Sequence, residues 1–104
     1  MKRSALLTHD SDSVATALED LAAGQEATFE RAGSVRKVVV GEDIPFGHKF
    51  ALADIKAGDE VLKYGEVIGR ATSFIGQGMH VHVHNLESLR GRGDLEKREG
   101  GAKE

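Results

Sequence analysis

No apolar run in this chain goes far without meeting a turn former, and that interruption limits the folds open to it. Beyond Gly24 the apolar segments are short: Ala27 to Arg31, Val35 to Val40 with its β-branched run Val38-Val39-Val40, Lys49 to Ala53, and Val61 to Gly69. Gly41 to Gly47 and Lys56-Ala57-Gly58-Asp59 separate them, and runs of this length bounded by Gly, Pro and Asp read as strands. Val61 to Gly69 divides into two short strands around Gly65. Pro45 cannot donate to a central ladder and belongs at an edge or a turn. Many short strands and thirteen glycines predict a mainly β domain, a compact irregular barrel or clip rather than a flat open sheet.

Ser4 to Leu7 reads as a first strand. Between it and Gly24 the period changes. Val14, Leu18, Leu21 and Ala22 fall at i, i+4, i+7 and i+8, the spacing of one helix face. Asp12 or Ser11 would cap this short N-terminal helix and Gly24 would stop it. Gly41-Glu42-Asp43-Ile44 and Gly58-Asp59-Glu60-Val61 are alike only briefly and need a gap to extend, so the sequence shows no internal repeat. Arg90 to Glu104 holds little to bury, which predicts one domain over residues 1–89 and a disordered charged tail over 90–104.

A formal charge of −3 with both signs interleaved lacks the basic stripe that neutralises phosphates, which argues against nucleic acid as a partner. The chain has no cysteine, so any metal it held would need His and carboxylate ligands. No apolar run reaches membrane-spanning length, and Thr8-His9-Asp10 cuts the first one short of a signal-peptide core, so the cytoplasm is the expected location.

The densest chemistry lies in Met79-His80-Val81-His82-Val83-His84-Asn85. On a strand, His80, His82 and His84 would share one face, with Cα atoms about 6.6 Å apart, while Val81 and Val83 point into the core. Two such imidazoles can converge on one divalent ion, and His82 with His84 are the expected pair. The plainer alternative is an exposed polar strand face. His9, Asp10 and Asp12 occupy a loop before the expected helix, where they would hold a metal or an anion, or simply cap. Gly47-His48-Lys49 and Lys63-Tyr64-Gly65 offer groups that serve as acids, bases or carboxylate partners once burial tunes them, or as ordinary surface side chains.

Four segments taken together resemble one family. They are His9-x-x-Asp12-x-Val14-Ala15-x-Ala17-Leu18, Ile44-Pro45-x-Gly47-His48-Lys49-x-Ala51-Leu52, Lys63-Tyr64-Gly65-x-x-Ile68-Gly69-x-Ala71-Thr72 and His80-Val81-His82-x-His84-Asn85-Leu86. In this order, over residues 5 to 89, they are similar to the N-terminal region of the altronate and galactarate dehydratases. That region also occurs as a separate subunit, as in the alpha subunit of sulfolactate sulfo-lyase. Where relatives have His-Pro-x-Asp-Asn, this chain has His9-Asp10-Ser11-Asp12-Ser13.

The resemblance implies the β-clip fold of SAF domains and β-elimination from a small hydroxy carboxylic acid: water from altronate or galactarate, or sulfite from sulfolactate. It implies a hydro-lyase small subunit inactive without a large catalytic subunit, a divalent metal such as iron(II) or manganese held mainly by that partner, and assembly into oligomers. Removing a proton next to a carboxylate builds charge there, and expelling hydroxide needs a Lewis acid or proton donor. On this basis His9, Asp12, His48, Lys49, Lys63 and Tyr64 are the catalytic candidates, His82 and His84 the metal candidates, and His80 and Asn85 the substrate contacts. The competing functions are a non-catalytic SAF-type module that binds a sugar or a protein, and a small metal enzyme acting alone.

Overall fold

A computed structural model of the chain describes residues 3–88, and over that span the interrupted apolar pattern becomes nine strands with no helix. They are β1 (Ala5–Leu6), β2 (Val14–Ala17), β3 (Glu26–Arg31), β4 (Ser34–Val39), β5 (Lys49–Ala51), β6 (Glu60–Lys63), β7 (Glu66–Ala71), β8 (His80–Val81) and β9 (Leu86–Ser88). Every pairing is antiparallel. β1-β2-β5-β8 form one sheet, β3-β4 a hairpin, and β6-β7-β9 a third sheet. The tail expected over 90–104 lies outside the described residues.

The four-stranded sheet carries core on both faces. Ala15, Ala17 and Phe50 pack into one apolar cluster with Leu21, Phe29, Val40 and Ile44. Val14, Ala51 and Val81 turn the other way and pack with Ile55, Val61, Ala71 and Ile75. Ala15 sits opposite Phe50 across the β2–β5 pair, so a small side chain makes room for the largest fully buried one. Burying Phe50 contributes roughly 1.5–3 kcal/mol.

This double burial explains why the expected helix is absent. Val14 and Ala15 are neighbours and both are buried, as a strand with core on each face requires and as a one-faced helix does not allow. Leu18, which the helical spacing places on the apolar face, is 44% exposed. Leu21 instead makes two backbone hydrogen bonds with Ile44, 2.9 and 2.8 Å long. Tertiary pairing overrides the local period.

An internal repeat is also present, contrary to the expectation from sequence. Leu21, Ile44, Ile55 and Ile75 each open a four-residue turn of the form apolar-x-x-Gly, and the glycines have φ between 84° and 90°. Leu21 bridges Ile44, and Ile55 bridges Ile75 in the same way. The match extends to side chains: Asp20 Oδ1 accepts the Phe46 N–H, and Asp54 Oδ1 accepts the Gln77 N–H. Only four positions recur, at uneven spacing, so no sequence period announces them. Gly78 shows why a side chain is excluded there, since a Cβ would overlap the Val39 carbonyl.

Candidate functional site

The histidine segment is a strand only at its start. β8 ends at Val81, and Val83, expected in the core, is 82% exposed. Asn85 is the cause. Its Oδ1 accepts the His82 N–H at 2.9 Å, its Nδ2 donates to the His80 carbonyl at 2.8 Å, and its own N–H donates to the His82 carbonyl at 3.1 Å. Asn85 is buried with these bonds made, so it shapes the turn.

That turn gathers imidazoles from two segments. The β5–β8 register sets Phe50 opposite His80 and brings His48, just ahead of β5, beside the histidine segment. His48 Nδ1 and His80 Nε2 share a hydrogen bond of 2.8 Å. The His48 and His82 rings stack with centroids 4.4 Å apart, and those of His80 and His82 at 5.3 Å. One ring nitrogen from each of His48, His80 and His82 lies within 4.8 Å of the other two. His84 is outside this triplet, its exposed ring tilted at 42° to that of His80. The structure therefore groups His82 with His48 and His80 rather than with His84.

Burial holds His80 below the usual imidazole range, reinforced by His48, His82 and His84 and opposed by Glu42, whose carboxylate accepts the His80 backbone N–H. His82 is lowered by burial and then by His48, Lys49 and His84. Neutral imidazoles present lone pairs, and ligand nitrogens at about 2.1 Å from an ion stand about 3–4 Å apart, so this donor set fits a divalent metal. His48, His80 and His82 would hold it, and a bound ion would supply Lewis acidity toward an oxygen ligand.

The second group is built on the loop before β2. Asp12 is 2% exposed, and its carboxylate accepts the Thr8 hydroxyl at 2.6 Å, the Tyr64 N–H at 3.0 Å and the Gly65 N–H at 2.8 Å. Burial pushes its carboxyl up, but the Thr8, Gly65 and Tyr64 hydrogen bonds and the His9 charge together outweigh that and hold it low. Arg31 Nη2 ties the Asp12 carbonyl from below at 2.9 Å. An ionised carboxylate so fully engaged is an anchor and a poor proton carrier. His9 is exposed; its Nδ1 accepts the Ser11 N–H, and its ring covers Gly65, where a Cβ would lie 2.9 Å from Cδ2.

Tyr64 is 65% exposed, with the Lys63 ammonium 3.6 Å from its ring centroid. A hydrogen bond and the charge of Lys63 lower its phenol, with help from Lys49 and opposition from desolvation and Asp12. The positive charge of Lys49 contributes to lowering both Tyr64 and His82. Sequence reasoning named most of these residues but missed Thr8 and Glu42, and it did not place His48 with the imidazoles. The repeated apolar-x-x-Gly turn was the available signal for His48, since it aligns the starts of β5 and β8.

The family model described as the altronate/galactarate dehydratase SAF domain matches residues 3–89. The chain belongs to that family. Altronate dehydratase of Escherichia coli (strain K12) is 47% identical to this SAF domain over 80 residues, which are 77% of the chain and 15% of that protein. The (2R)-sulfolactate sulfo-lyase subunit alpha of Chromohalobacter salexigens is 38% identical over 88 residues, covering 81% of the chain and 94% of the subunit. The corresponding subunit of Paracoccus pantotrophus is 52% identical over 48 residues, 46% of the chain and 72% of the subunit. The SAF domain thus spans about a sixth of the altronate dehydratases it matches. No helix among the described residues is long and apolar enough to cross a membrane.

Proposed function

We propose that this SAF domain, with a β-clip architecture, is the small subunit of a two-component lyase that acts on a small hydroxy carboxylic acid. One observation carries the reading: the chain aligns with 94% of a protein that is itself named a subunit, the sulfolactate sulfo-lyase alpha chain. Within the lyase class, the reaction is elimination of sulfite from sulfolactate or of water from altronate or galactarate, and a divalent ion such as iron(II) or manganese would supply Lewis acidity. The larger part of the active site belongs to the partner subunit.

The residues suit such an elimination. Proton loss beside a carboxylate builds negative charge, and Lys49, Lys63 and the Tyr64 hydroxyl are groups that stabilise it. The leaving group departs from the side carrying His48, His80 and His82. Those imidazoles would hold a divalent ion there, and the bound ion would supply the Lewis acidity that the departing group needs. Asp12 orients and does not transfer protons.

The test is to mix the purified chain with its large subunit and ferrous iron, then assay sulfite release from sulfolactate and keto-acid formation from altronate and galactarate. One of the three acids should turn over in the mixture and in neither component alone. No turnover of any, or full activity of the large subunit alone, overturns the reading. Full activity with His48→Ala or His82→Ala present would leave a non-catalytic binding module.

A further inference from the structure

The four apolar-x-x-Gly turns face one another in two pairs, and the residue before each turn bears on the turn opposite. Asp20 Oδ1 accepts the Phe46 N–H at 2.8 Å and Asp43 Oδ1 accepts the Ala23 N–H at 2.9 Å, so the first pair is clamped from both sides. In the second pair Asp54 Oδ1 accepts the Gln77 N–H at 2.9 Å. The fourth position, where the repeat sets an acceptor for the Ala57 N–H, holds Phe74. A phenyl ring carries no oxygen to accept that N–H. Phe74 is also 61% exposed, so it forgoes the bond without gaining burial. A side chain that serves the fold in neither way points to a task outside it.

The surroundings of Phe74 have the composition of an interface core. From Ala71 to Leu86 the chain has no Asp, Glu, Lys or Arg, although 30% of all its residues are charged. The Phe74 ring and the Met79 side chain flank Gly76, where a Cβ would lie 3.7 Å from Phe74 Cε2 and 3.5 Å from Met79 Cγ. Met79 is half-buried and its thioether lies over Gly41, so glycine adjoins the apolar strip where a charged side chain would interrupt it. Exposed aromatic and methionine side chains in a stretch depleted of charge distinguish the centre of a protein interface from the rest of a surface.

The strip also borders the imidazole cluster. Met79 immediately precedes His80, and Gly41 precedes Glu42, whose carboxylate accepts the His80 N–H. A body seated on Phe74 and Met79 therefore stands beside His48, His80 and His82. Three imidazoles leave a divalent ion with an open position, which a second copy of this chain would meet only with more of the same groups. In the altronate dehydratase of Escherichia coli the matched domain is 15% of a longer chain. A separate domain meets such a body only through its surface.

We propose that Phe74 and Met79 anchor the surface on which the large subunit docks, an occupant that rests on the lyase reading above. The partner offers an uncharged apolar face with a pocket for the Phe74 ring, and its neighbouring groups reach the imidazoles.

The test titrates the purified large subunit with the full chain by calorimetry, and follows the isolated chain by thermal melting and sedimentation. Phe74→Asp restores the acceptor that the other three turns have. It should leave the melting temperature of the chain equal or higher while raising the Kd of the complex about thirtyfold or more, the scale of a buried aromatic anchor. A purely structural role for Phe74 does not produce that pair of results. Phe74→Ala, which adds no charge, should raise the Kd about tenfold or more. Val35→Ser, which changes an exposed aliphatic on β4, should leave it unchanged. Unchanged affinity in both Phe74 variants, an equal loss in Val35→Ser, or a dimer of the isolated chain that Phe74→Asp dissolves overturns the proposal. Turnover by the mixture with affinity unchanged in the Phe74 variants removes the docking surface and leaves the lyase reading. A complex that Phe74→Asp breaks but that turns over none of the three acids does the reverse. No complex with the native chain overturns both.

Discussion

The β3–β4 and β6–β7 hairpins are the same local solution put to different ends. Both turn through two residues of positive φ, and both are held by the loop before β2: Asp10 Oδ1 accepts the Ala32 N–H at 3.1 Å, and Asp12 accepts the Tyr64 and Gly65 N–H groups. The first clamp is a single exposed bond on a turn with a methyl side chain. The second is buried, adds the Thr8 hydroxyl, and restrains an exposed phenol. A turn needed only to reverse the chain is held lightly; one that presents a chemical group in a costly conformation is held firmly.

The largest test of that difference removes each clamp. Asp12→Ala takes the acceptor from the Gly65 N–H and the Thr8 hydroxyl and one of two acceptors from the Tyr64 N–H, all in part-buried bonds, and should destabilise by about 2 kcal/mol in denaturant unfolding. Asp10→Ala should cost less than about 1 kcal/mol, because water replaces its exposed bond. Equal losses would break the comparison.

The pH dependence should follow the buried clamp. The Asp12 carboxyl is lowered in the folded chain, so its stabilisation is complete above the unfolded value of about 3.9 and disappears as pH falls through the lower folded value. Asp12→Asn should flatten that acid limb. His80 is also lowered, so its protonation penalty should develop as pH falls below about 6.5 and be complete below the folded value. Thermal melts across pH separate the two, with His80→Gln reducing the limb nearer neutrality, to which His82 also contributes.

Gly65→Ala should cost about 2 kcal/mol, since a Cβ meets the His9 ring as well as an unfavourable φ. Gly33→Ala meets nothing within 4 Å and should cost about 1 kcal/mol from φ alone. Smallest of all, Tyr64→Asn and Ala32→Asn should each shift stability by no more than about 0.5 kcal/mol, in the stabilising direction. Their separation is functional: only Tyr64→Asn should lower turnover in the two-component assay.

Much of the strand content was legible, because Val35 to Val40 and Lys49 to Ala53 carry their signal in a few adjacent residues. The segment from Val14 to Ala22 misled because Val14, Leu18 and Leu21 fit one helix face, and only the burial of Ala15 beside Val14 and the exposure of Leu18 distinguish the doubly buried strand. The histidine segment was visible as chemistry but not as geometry. Val83 alternates correctly for a buried face, yet the Asn85 side chain ends the strand two residues before it.

The sequence by itself determined that the domain is β-rich, where its turns fall, and which imidazoles, lysines and phenol are available, since these depend on residue type and near neighbours. Tertiary structure alone decided which of them meet. His48 joins His80 and His82 through the β5–β8 register, and Asp12 reaches the Tyr64 turn across more than half of the described chain. Both contacts depend on antiparallel pairings between segments distant in the chain, and no local period encodes them.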